Sequence, residues 1–502
     1  MMKKFKITIM SALLLFISTT ACQDDYLDRF PTGSVSESSV FLTTDNAMAA
    51  LNGIHRFMYI RMNPPNRQDG FGQGSININM DVLGEDYPMH STGLGWYITE
   101  YRWLGHRTEN FNLCDFPYRF YYRIIANANL IINNIDGASG PDADRNEIKA
   151  QALAYRAFSY FMLVQVYGER YVAGASNDQL GVPLILTVEL EGQPRNTVEE
   201  VYTQINSDLD AAITLFGSAS PRLNASHIDL SVAHGIKARI SMVQGLWNNA
   251  ITHAQAARAD FVLMSQTEYQ NGFNNYENSE WIWGSHQIQD QQGFFASYFA
   301  YISHNFSSTS IRTNPPKINN LLFDAFPSSD VRTLNFDVNG LDVSELPTSG
   351  SVSTPYQSRK YTAAASGLSI GDVPLMRAAE MYLIEAEANA HLGQDGPAAD
   401  ALFALNSARD DDYTLSASTG QALLDEILLY RRLELWGEGF RFLDLKRLNL
   451  PLQRTHTADG GLHNPTLTQG LVSVPAGDIR WQFLIPLSEL NVNDQIVQNP
   501  QQ

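Results

Sequence analysis

Residues 431–447 read "RRLELWGEGFRFLDLKR" and place five basic and three acidic side chains in seventeen positions. Basic and acidic residues three positions apart share one face of a helix and can form ion pairs. The pairs that this spacing predicts are Arg431–Glu434, Glu438–Arg441 and Arg441–Asp444. A catalytic pair would instead need an unpaired group with a shifted pKa in a cleft. We therefore interpret the stretch as a salt-bridged brace and not as an active site.

Apolar residues recur at helical spacing along much of the chain that surrounds this stretch, which predicts a mostly α-helical fold. The clearest predicted helices cover residues 119–135, 144–167, 197–216, 231–260 and 372–447. In the second of them, apolar and aromatic residues from Leu153 to Tyr167 recur every three or four positions, which indicates one buried face. Thr197 and Glu200 have the spacing of a capping box, so a helix should begin there.

Two segments share a helix–turn–helix pattern that is rich in small residues. Residues 238–258 read "ARISMVQGLWNNAITHAQAAR", and residues 379–409 read "AEMYLIEAEANAHLGQDGPAADALFALNSAR". A glycine, Gly245 or Gly393, separates the two helices of each segment, and alanines in the second helix would let the helices approach closely. The pattern resembles the tetratricopeptide helix pair, which buries its inner face by stacking on neighbours. The spacing is irregular, so we do not expect a full regular solenoid.

The remaining segments, 63–118, 262–370 and 452–484, contain prolines, glycines and short apolar runs, which predict loops with a few short strands. Trp281 and Trp283 alternate as in a strand, and at least one of them should be buried. The predicted organisation is a leader at 1–21, a tether at 22–40, an N-terminal region at 41–220 and a C-terminal region at 221–502, with the last two forming one globular unit.

The leader has the parts of a signal peptide. Three lysines precede an apolar run of 11 residues at 7–17, and small residues then lead to Cys22. The run is shorter than the ~20 residues of a membrane-spanning helix, so we expect it to be cleaved. "TTAC", which ends at Cys22, resembles the lipobox of bacterial lipoproteins, with Thr19 where leucine is usual. The next residues, "QDD", are similar to the acidic signal of surface lipoproteins in Bacteroidota, so we predict acyl chains on Cys22 as a membrane anchor.

Composition and motifs argue against several classes of function. The formal net charge is −19 and no cluster of Lys and Arg is present, whereas nucleic-acid binding depends on such clusters. The chain has no nucleophile elbow, no zinc-protease helix and no phosphate-binding loop, and its 11 histidines are scattered. Carboxylate runs at 85–86 and 410–412 could hold a structural calcium ion, although such runs are usually solvated turns. The sequence therefore contains no catalytic signature, and we predict no cofactor and no transition-metal site.

Several stretches together resemble one known family. "YRRLELWGEGFRFLDLKRLN" is similar to the signature ER-x-E-L-x-x-E-G-x-R-x-x-D-L-x-R of the SusD/RagB family of outer-membrane nutrient-binding lipoproteins. Further matching stretches are "YLDRFP", "NANLIINNI" at 127–135, "QALAYRAFSYFMLVQVYGE" at 151–169, "RAAEMYLIEAEANAHLG" at 377–393, "FLIPLSELNVN" at 483–493 and "QNP" at 498–500. Tyr430 stands where the signature often has Glu, and the terminal "QNPQQ" replaces a common "QNPGY". Both departures lie in scaffold positions.

The resemblance implies a scaffold of tetratricopeptide-like hairpins and a loop-rich remainder that presents the ligand site. It also implies a non-catalytic lipoprotein, exposed on the surface of the outer membrane, that acts as a lid on a TonB-dependent transporter of the SusC type. The implied ligand is an oligosaccharide or polysaccharide, and a peptide, as for RagB-like members, is the alternative. A surface hydrolase and a pure protein–protein adaptor remain as more distant alternatives.

Aromatic residues are concentrated between Asp81 and Tyr122, with eleven in 42 residues. Sugars stack their C–H faces on aromatic rings while polar side chains bind the hydroxyls, so we expect ligand contacts here. The candidate contacts are Asp81, Asp86, Trp96, Tyr97, Tyr101 and Trp103, with Phe294, Phe295, Tyr298 and Tyr301 from a second cluster, "GFFASYFAYISHNF". The second cluster either meets the first or lines the transporter interface. The aromatic residues from Trp96 to Trp103 fit a binding platform and a core plug equally well. The residues predicted to be core are Phe111, Phe116, Phe120 and Tyr121.

Overall fold

The computed structural model describes residues 40–62, 67–187, 191–344 and 346–501. The predictions for the leader, for acylation at Cys22 and for the tether up to residue 39 lie outside the described residues. No helix in the described ranges is both long enough and apolar enough to cross a membrane.

Helices make up most of the regular secondary structure, whereas the strands are few and short, which confirms the mostly α-helical prediction. Eleven helices of seven or more residues lie in the described ranges. They are α1 (Thr44–Phe57), α2 (Gln73–Val82), α3 (Asn112–Asn134), α4 (Asp142–Tyr167), α5 (Val198–Phe216), α6 (Leu230–Gln244), α7 (Trp247–Arg258), α8 (Ala378–His391), α9 (Asp395–Asn406), α10 (Gly420–Glu434) and α11 (Arg441–Arg447). Shorter α-helical turns are Ile98–Tyr101, Gln266–Tyr269, Phe299–Ile302, Thr309–Thr313, Asn320–Phe323, Pro465–Thr468 and Leu487–Leu490. Single 3₁₀ turns are Gly105–Arg107, Ile135–Gly137, Gln289–Gln291, Val331–Asn335, Thr457–Asp459 and Ile479–Trp481.

Local signals place several helix ends where the sequence predicts them. At the start of α5, the Thr197 hydroxyl accepts the Glu200 backbone N–H, and the Glu200 carboxylate accepts the Thr197 backbone N–H, which forms the predicted capping box. The predicted helical stretch at 231–260 is divided into α6 and α7 at the predicted turn, where Gly245 adopts a φ of 71°. The predicted helix at 372–447 is likewise divided, into a strand and the four helices α8 to α11.

The helices form a row of packed neighbours that runs from α3 through α4, α5, α6, α7 and α8 to α9. Pairs α6/α7 and α8/α9 are the two predicted hairpins. Ala250, Ala254 and Ala398 are completely buried in them, which allows the close approach expected from small residues. Of the aromatic residues predicted to be core, Phe116, Phe120 and Tyr121 are buried, whereas Phe111 at the N-cap of α3 is 39% exposed.

Short strands join the loops to this helical scaffold. The strands are β1 (Trp281–Ser285), β2 (Phe336–Asp337), β3 (Gln357–Ser358), β4 (Val373–Arg377), β5 (Leu452–Gln453) and β6 (Ser473–Val474). They pair antiparallel as β1 with β4, β2 with β3, and β5 with β6. Trp281 and Trp283 of β1 are both buried, so the prediction of a strand with a core tryptophan is confirmed.

Helix α2 lies in a segment for which the sequence predicts loops. Its sequence, "QGSININMDV", alternates apolar and polar residues and lacks the apolar stripe of an amphipathic helix. All ten residues are buried, so the helix needs no polar face towards water. Its polar side chains are bound inside the protein; the Gln73 amide, for example, donates to Asn77 Oδ1 at 2.9 Å.

Candidate ligand-binding site

Glu434, at the end of α10, is the centre of a buried ion-pair network. Its carboxylate accepts hydrogen bonds from Arg332 at 3.0 Å, Arg377 at 2.9 Å and Arg409 at 3.3 Å. Arg377 and Arg409 also bind Glu280. Burial opposes the charge on Glu434, but the three guanidinium groups hold its pKa below the usual value. Paired groups of this kind are expected of a structural brace.

The prediction of a brace in residues 431–447 is confirmed, but the predicted pairs are wrong. Arg431 binds Asp444 at 2.8 Å, and Arg441 binds Glu85. One reason is that two glycines with φ of 79° and 89° separate α10 from α11, so a spacing of three residues across them does not correspond to one helix face. A second reason is that Glu434 binds arginines from other segments. The brace therefore joins segments that are far apart in the sequence.

Asp81 and Asp86, which the sequence offers as ligand contacts, are part of this brace. Asp81 accepts the backbone N–H of Gly439 at 2.9 Å, and burial raises its pKa well above the usual value. Asp86 binds Arg432 at 2.6 Å; although burial opposes its charge, Arg432 and Arg441 lower its pKa. Both carboxylates are buried, and each is bound within the protein. The structure therefore corrects the prediction that they contact a ligand.

Tyr101, Trp103 and Tyr298 are core residues, which corrects the prediction of ligand contacts at these positions. The Tyr101 hydroxyl forms a hydrogen bond of 2.5 Å with His463 Nδ1. The indole N–H of Trp103 donates to a backbone carbonyl at 2.8 Å, and its ring meets Trp481 edge-on with centroids 4.8 Å apart. The Tyr298 hydroxyl donates to a backbone carbonyl of the glycine turn at 3.0 Å. Rings packed in this way have no free face for a sugar.

The two predicted aromatic clusters meet at Tyr301, which confirms one of the two alternatives for the second cluster. The rings of Trp96 and Tyr97 contact Tyr301 edge-on, with centroids 5.7 and 5.5 Å away. Phe71 stacks on the same ring at 5.4 Å. Tyr97 and Tyr301 are buried, and Trp96 is half-buried above them. We call Trp96, Tyr97 and Tyr301, together with Phe294 and Phe295, the aromatic surface.

Phe294 and Phe295 are the most exposed members of the aromatic surface, at 58% and 47%. Phe294 has a φ of 47° and Tyr97 a φ of 59°, in the left-handed region that bulky residues rarely adopt. Conformations of this kind cost free energy and are concentrated at functional sites. The buried hydroxyl of Tyr97 also has no hydrogen-bond partner among the described residues. Tyr97 thus combines a strained backbone with an unpaired buried hydroxyl, and Phe294 combines a strained backbone with an exposed ring.

Polar side chains lie beside the aromatic surface. Arg67 and Asp69 form an ion pair at 3.0 Å, and the Arg67 side chain is half-exposed. Burial raises the pKa of the Tyr301 hydroxyl, and the nearby charge of Asp69 adds to that effect. The Tyr59 hydroxyl donates a hydrogen bond to the Gln291 side chain. Aromatic rings next to donors and acceptors are what recognition of a polar, ring-shaped ligand requires.

No group of three or more His, Cys, Asp or Glu side chains suited to a metal ion occurs within the described part of the chain. Glu85 and Asp86, which could supply oxygen ligands for calcium, bind Arg441 and Arg432 instead.

Comparison with known proteins shows to which family the chain belongs. The sequence model of the SusD family matches residues 247–501, slightly more than half of the chain. The chain belongs to the SusD family. A second family model, described as starch-binding and associating with the outer membrane, matches residues 83–242. The predicted resemblance is thus confirmed.

Individual relatives are similar to this SusD-family chain over most of its length or over part of it. SusD-like protein P38 of Formosa agariphila is 25% identical over 497 residues, which cover 89% of this chain and 92% of the relative. SusD-like protein P2 of the same organism is 26% identical over 290 residues, which cover 54% of this chain and only 50% of the relative. The crystal structure of a SusD-like carbohydrate-binding protein from Bacteroides vulgatus has a TM-score of 0.79 at 28% identity, and the match covers 91% of this chain and 98% of that one.

Proposed function

We propose that this SusD-family protein is a surface lipoprotein that captures oligosaccharides and passes them to a TonB-dependent transporter of the SusC type in the outer membrane. The observation that carries the proposal is the aromatic surface, in which half-buried Trp96 and the exposed Phe294 and Phe295 lie on two segments that meet. The similarity to a carbohydrate-binding protein of known structure supports it.

We propose that the aromatic and the polar side chains contact different parts of the sugar. Trp96 and the two phenylalanines supply ring faces for the C–H groups of sugars, and Tyr301 contacts the Trp96 ring edge-on. The half-exposed Arg67 and its partner Asp69 supply donors and acceptors for hydroxyl groups. Binding of this kind needs no catalytic group, so we propose capture and release without chemical change.

The test is calorimetric titration with a polysaccharide that retards the protein in an affinity gel. Trp96→Ala removes a stacking ring, and such aromatic anchors often contribute ~2 kcal/mol or more of binding free energy. We therefore expect the affinity to fall about thirtyfold. Trp247→Ala is the matched control, because Trp247 is also half-buried but stacks on His391 in the helical row. The control should bind as tightly as the wild type.

Two results would contradict the proposal. If Trp96→Ala and the double variant Phe294→Ala/Phe295→Ala both retain wild-type affinity for the glycan, the aromatic surface is not the binding site. The migration of the purified protein could also be unaffected by every polysaccharide gel, while mass spectra show co-purified peptides. In that case the ligand is a peptide.

A further inference from the structure

A small pocket is lined by the glycine turn between α10 and α11 and by residues of α2, α4 and α6. Its volume is about 60 Å³. A water-sized group needs roughly 10–15 Å³ on this measure, so the pocket has room for about four to six heavy atoms. Phe158 and Met162 of α4 and Met242 of α6 line it with apolar groups, and Arg431 and Asp444 line it with charged ones.

Arg431 is buried in the wall of this pocket, with only 3% of its surface exposed. Its Nε donates to Asp444 at 2.8 Å, but its Nη1 has no hydrogen-bond partner among the described residues. A buried charged donor without an acceptor destabilises a protein by more than most lost hydrogen bonds. The pocket therefore contains a cationic donor that an added acceptor would satisfy.

Arg431 is also the least neutralised cation of the pocket. It shares its one carboxylate, Asp444, with Arg447, whose Nε lies 2.7 Å from the other oxygen. Arg447 has a second acidic partner in Glu387. Arg239, the third arginine of the wall, has Glu380 to itself through two hydrogen bonds.

The remaining carboxylate of the wall, Glu438, is bound to groups behind the pocket. Lys360 donates to it at 2.7 Å, and Arg377 donates to both of its oxygens. Its charge is therefore already balanced. The half-buried ring of Phe440, which also lines the pocket, lies against the guanidinium groups of Arg431 and Arg239, at 5.1 and 5.3 Å.

We propose that this pocket binds a small monocarboxylate anion of about the size of acetate. The carboxylate accepts N–H groups of Arg431, for which planar carboxylates are well matched, and the alkyl group packs against Phe158 and Met242. A hydroxyl or halide ligand would leave either the charge or the apolar wall unmatched. The site shares no residue with the aromatic surface, so it is independent of the proposed capture of glycans.

The experiment is equilibrium dialysis of the purified protein against radiolabelled acetate, with sodium chloride added to constant ionic strength. We expect saturable binding of one equivalent, competed by propionate and not by acetamide. Arg431→Lys retains a cation opposite Asp444 but loses the Nη groups, so its affinity for acetate should fall about tenfold or more. Absence of saturable binding to the wild-type protein, or equal competition by acetamide or chloride, would overturn the proposal.

A second variant tests the proposal even if Arg431→Lys does not fold. Val243→Phe adds bulk at the half-buried edge of the pocket and changes no charge. It should abolish acetate binding while melting cooperatively, whereas Leu334→Phe, at an exposed position elsewhere, should bind acetate normally. Normal acetate binding by both Val243→Phe and Arg431→Lys would place the acetate outside this pocket and contradict the proposal.

Discussion

Trp96 and Trp103 are separated by one short helical turn, but they differ in how much of the ring is buried. Trp96 is half-buried and contacts Tyr301 by an edge, whereas Trp103 is 2% exposed and packs against His106, Phe442 and Trp481. A ring that is enclosed on all sides contributes to folding, and a ring that is partly open can contribute to binding. The same residue type therefore has two different environments within eight positions.

We expect Trp103→Ala to destabilise the fold without changing ligand affinity. Removing a buried tryptophan costs ~3–5 kcal/mol of unfolding free energy, because the cavity is only partly refilled. Urea unfolding measures this loss, and titration of the folded fraction measures affinity. Weaker binding at unchanged stability would mean that Trp103, and not Trp96, contacts the ligand.

The glycine turn between α10 and α11 is the element that connects the brace to the N-terminal half. Gly439 has a φ of 89°, and its backbone N–H binds Asp81 at the end of α2. The backbones approach so closely that a Cβ at position 439 would lie 2.6 Å from the Asn77 Cα. Only glycine satisfies both the conformation and the contact.

Gly439→Ala should therefore destabilise the protein more than Gly460→Ala. Gly460 has a φ of 84° but nothing within 4 Å of its added Cβ among the described residues, so it isolates the cost of the backbone conformation. That cost is about 1–2 kcal/mol, and the clash with α2 adds to it at Gly439. Chemical unfolding of the two variants measures the difference. Equal losses would show that α2 and the turn are not rigidly packed.

Across the whole molecule, buried titratable groups make the stability depend on pH. Burial lowers the pKa of His227 to about 4 and those of His106 and His463 to about 3. Asp444 behaves differently: burial opposes its charge, but Arg431 and Arg447 lower its pKa to about 2. The histidines and the carboxylate therefore respond in separate ranges of pH.

We expect the unfolding free energy to fall as the pH is lowered from 6.5 to 4. In this range the unfolded chain protonates its histidines while the folded chain does not, so acid favours unfolding by up to about 1.4 kcal/mol per pH unit for each histidine. The contribution of Asp444 is retained here and is lost only as the pH falls from about 3.8 to 2. Urea midpoints at pH 7.5 and 5.0 test the first range. His227→Gln should reduce the difference, and identical midpoints for the wild type would contradict the prediction.

At the scale of the whole protein, we predict attachment to the membrane through acyl chains on Cys22. Cys22→Ala should give a folded protein that no longer fractionates with membranes, because several acyl chains provide the binding free energy of the predicted anchor. Fractionation in high salt, with melting curves to verify folding, measures this. A variant that still sediments with membranes would refute acylation as the anchor.

The sequence by itself determined the features that depend on a few neighbouring residues. Helix α5 begins at its capping box, the hairpins turn at Gly245 and Gly393, and the fold is mostly helical, because caps, left-handed glycines and apolar periodicity act over one or two turns. The "RRLELWGEGFRFLDLKR" stretch also predicts a brace, because its basic and acidic residues alternate at the spacing of ion pairs.

Only the tertiary structure decided which groups meet across the chain. Arg441 pairs with Glu85, 356 positions away in the sequence, and Trp96 meets Tyr301. Helix α2 remains helical without an apolar stripe because the rest of the protein surrounds it. Exposure of a ring and the partner of a charge depend on how distant segments pack, and no local spacing of residues encodes that packing.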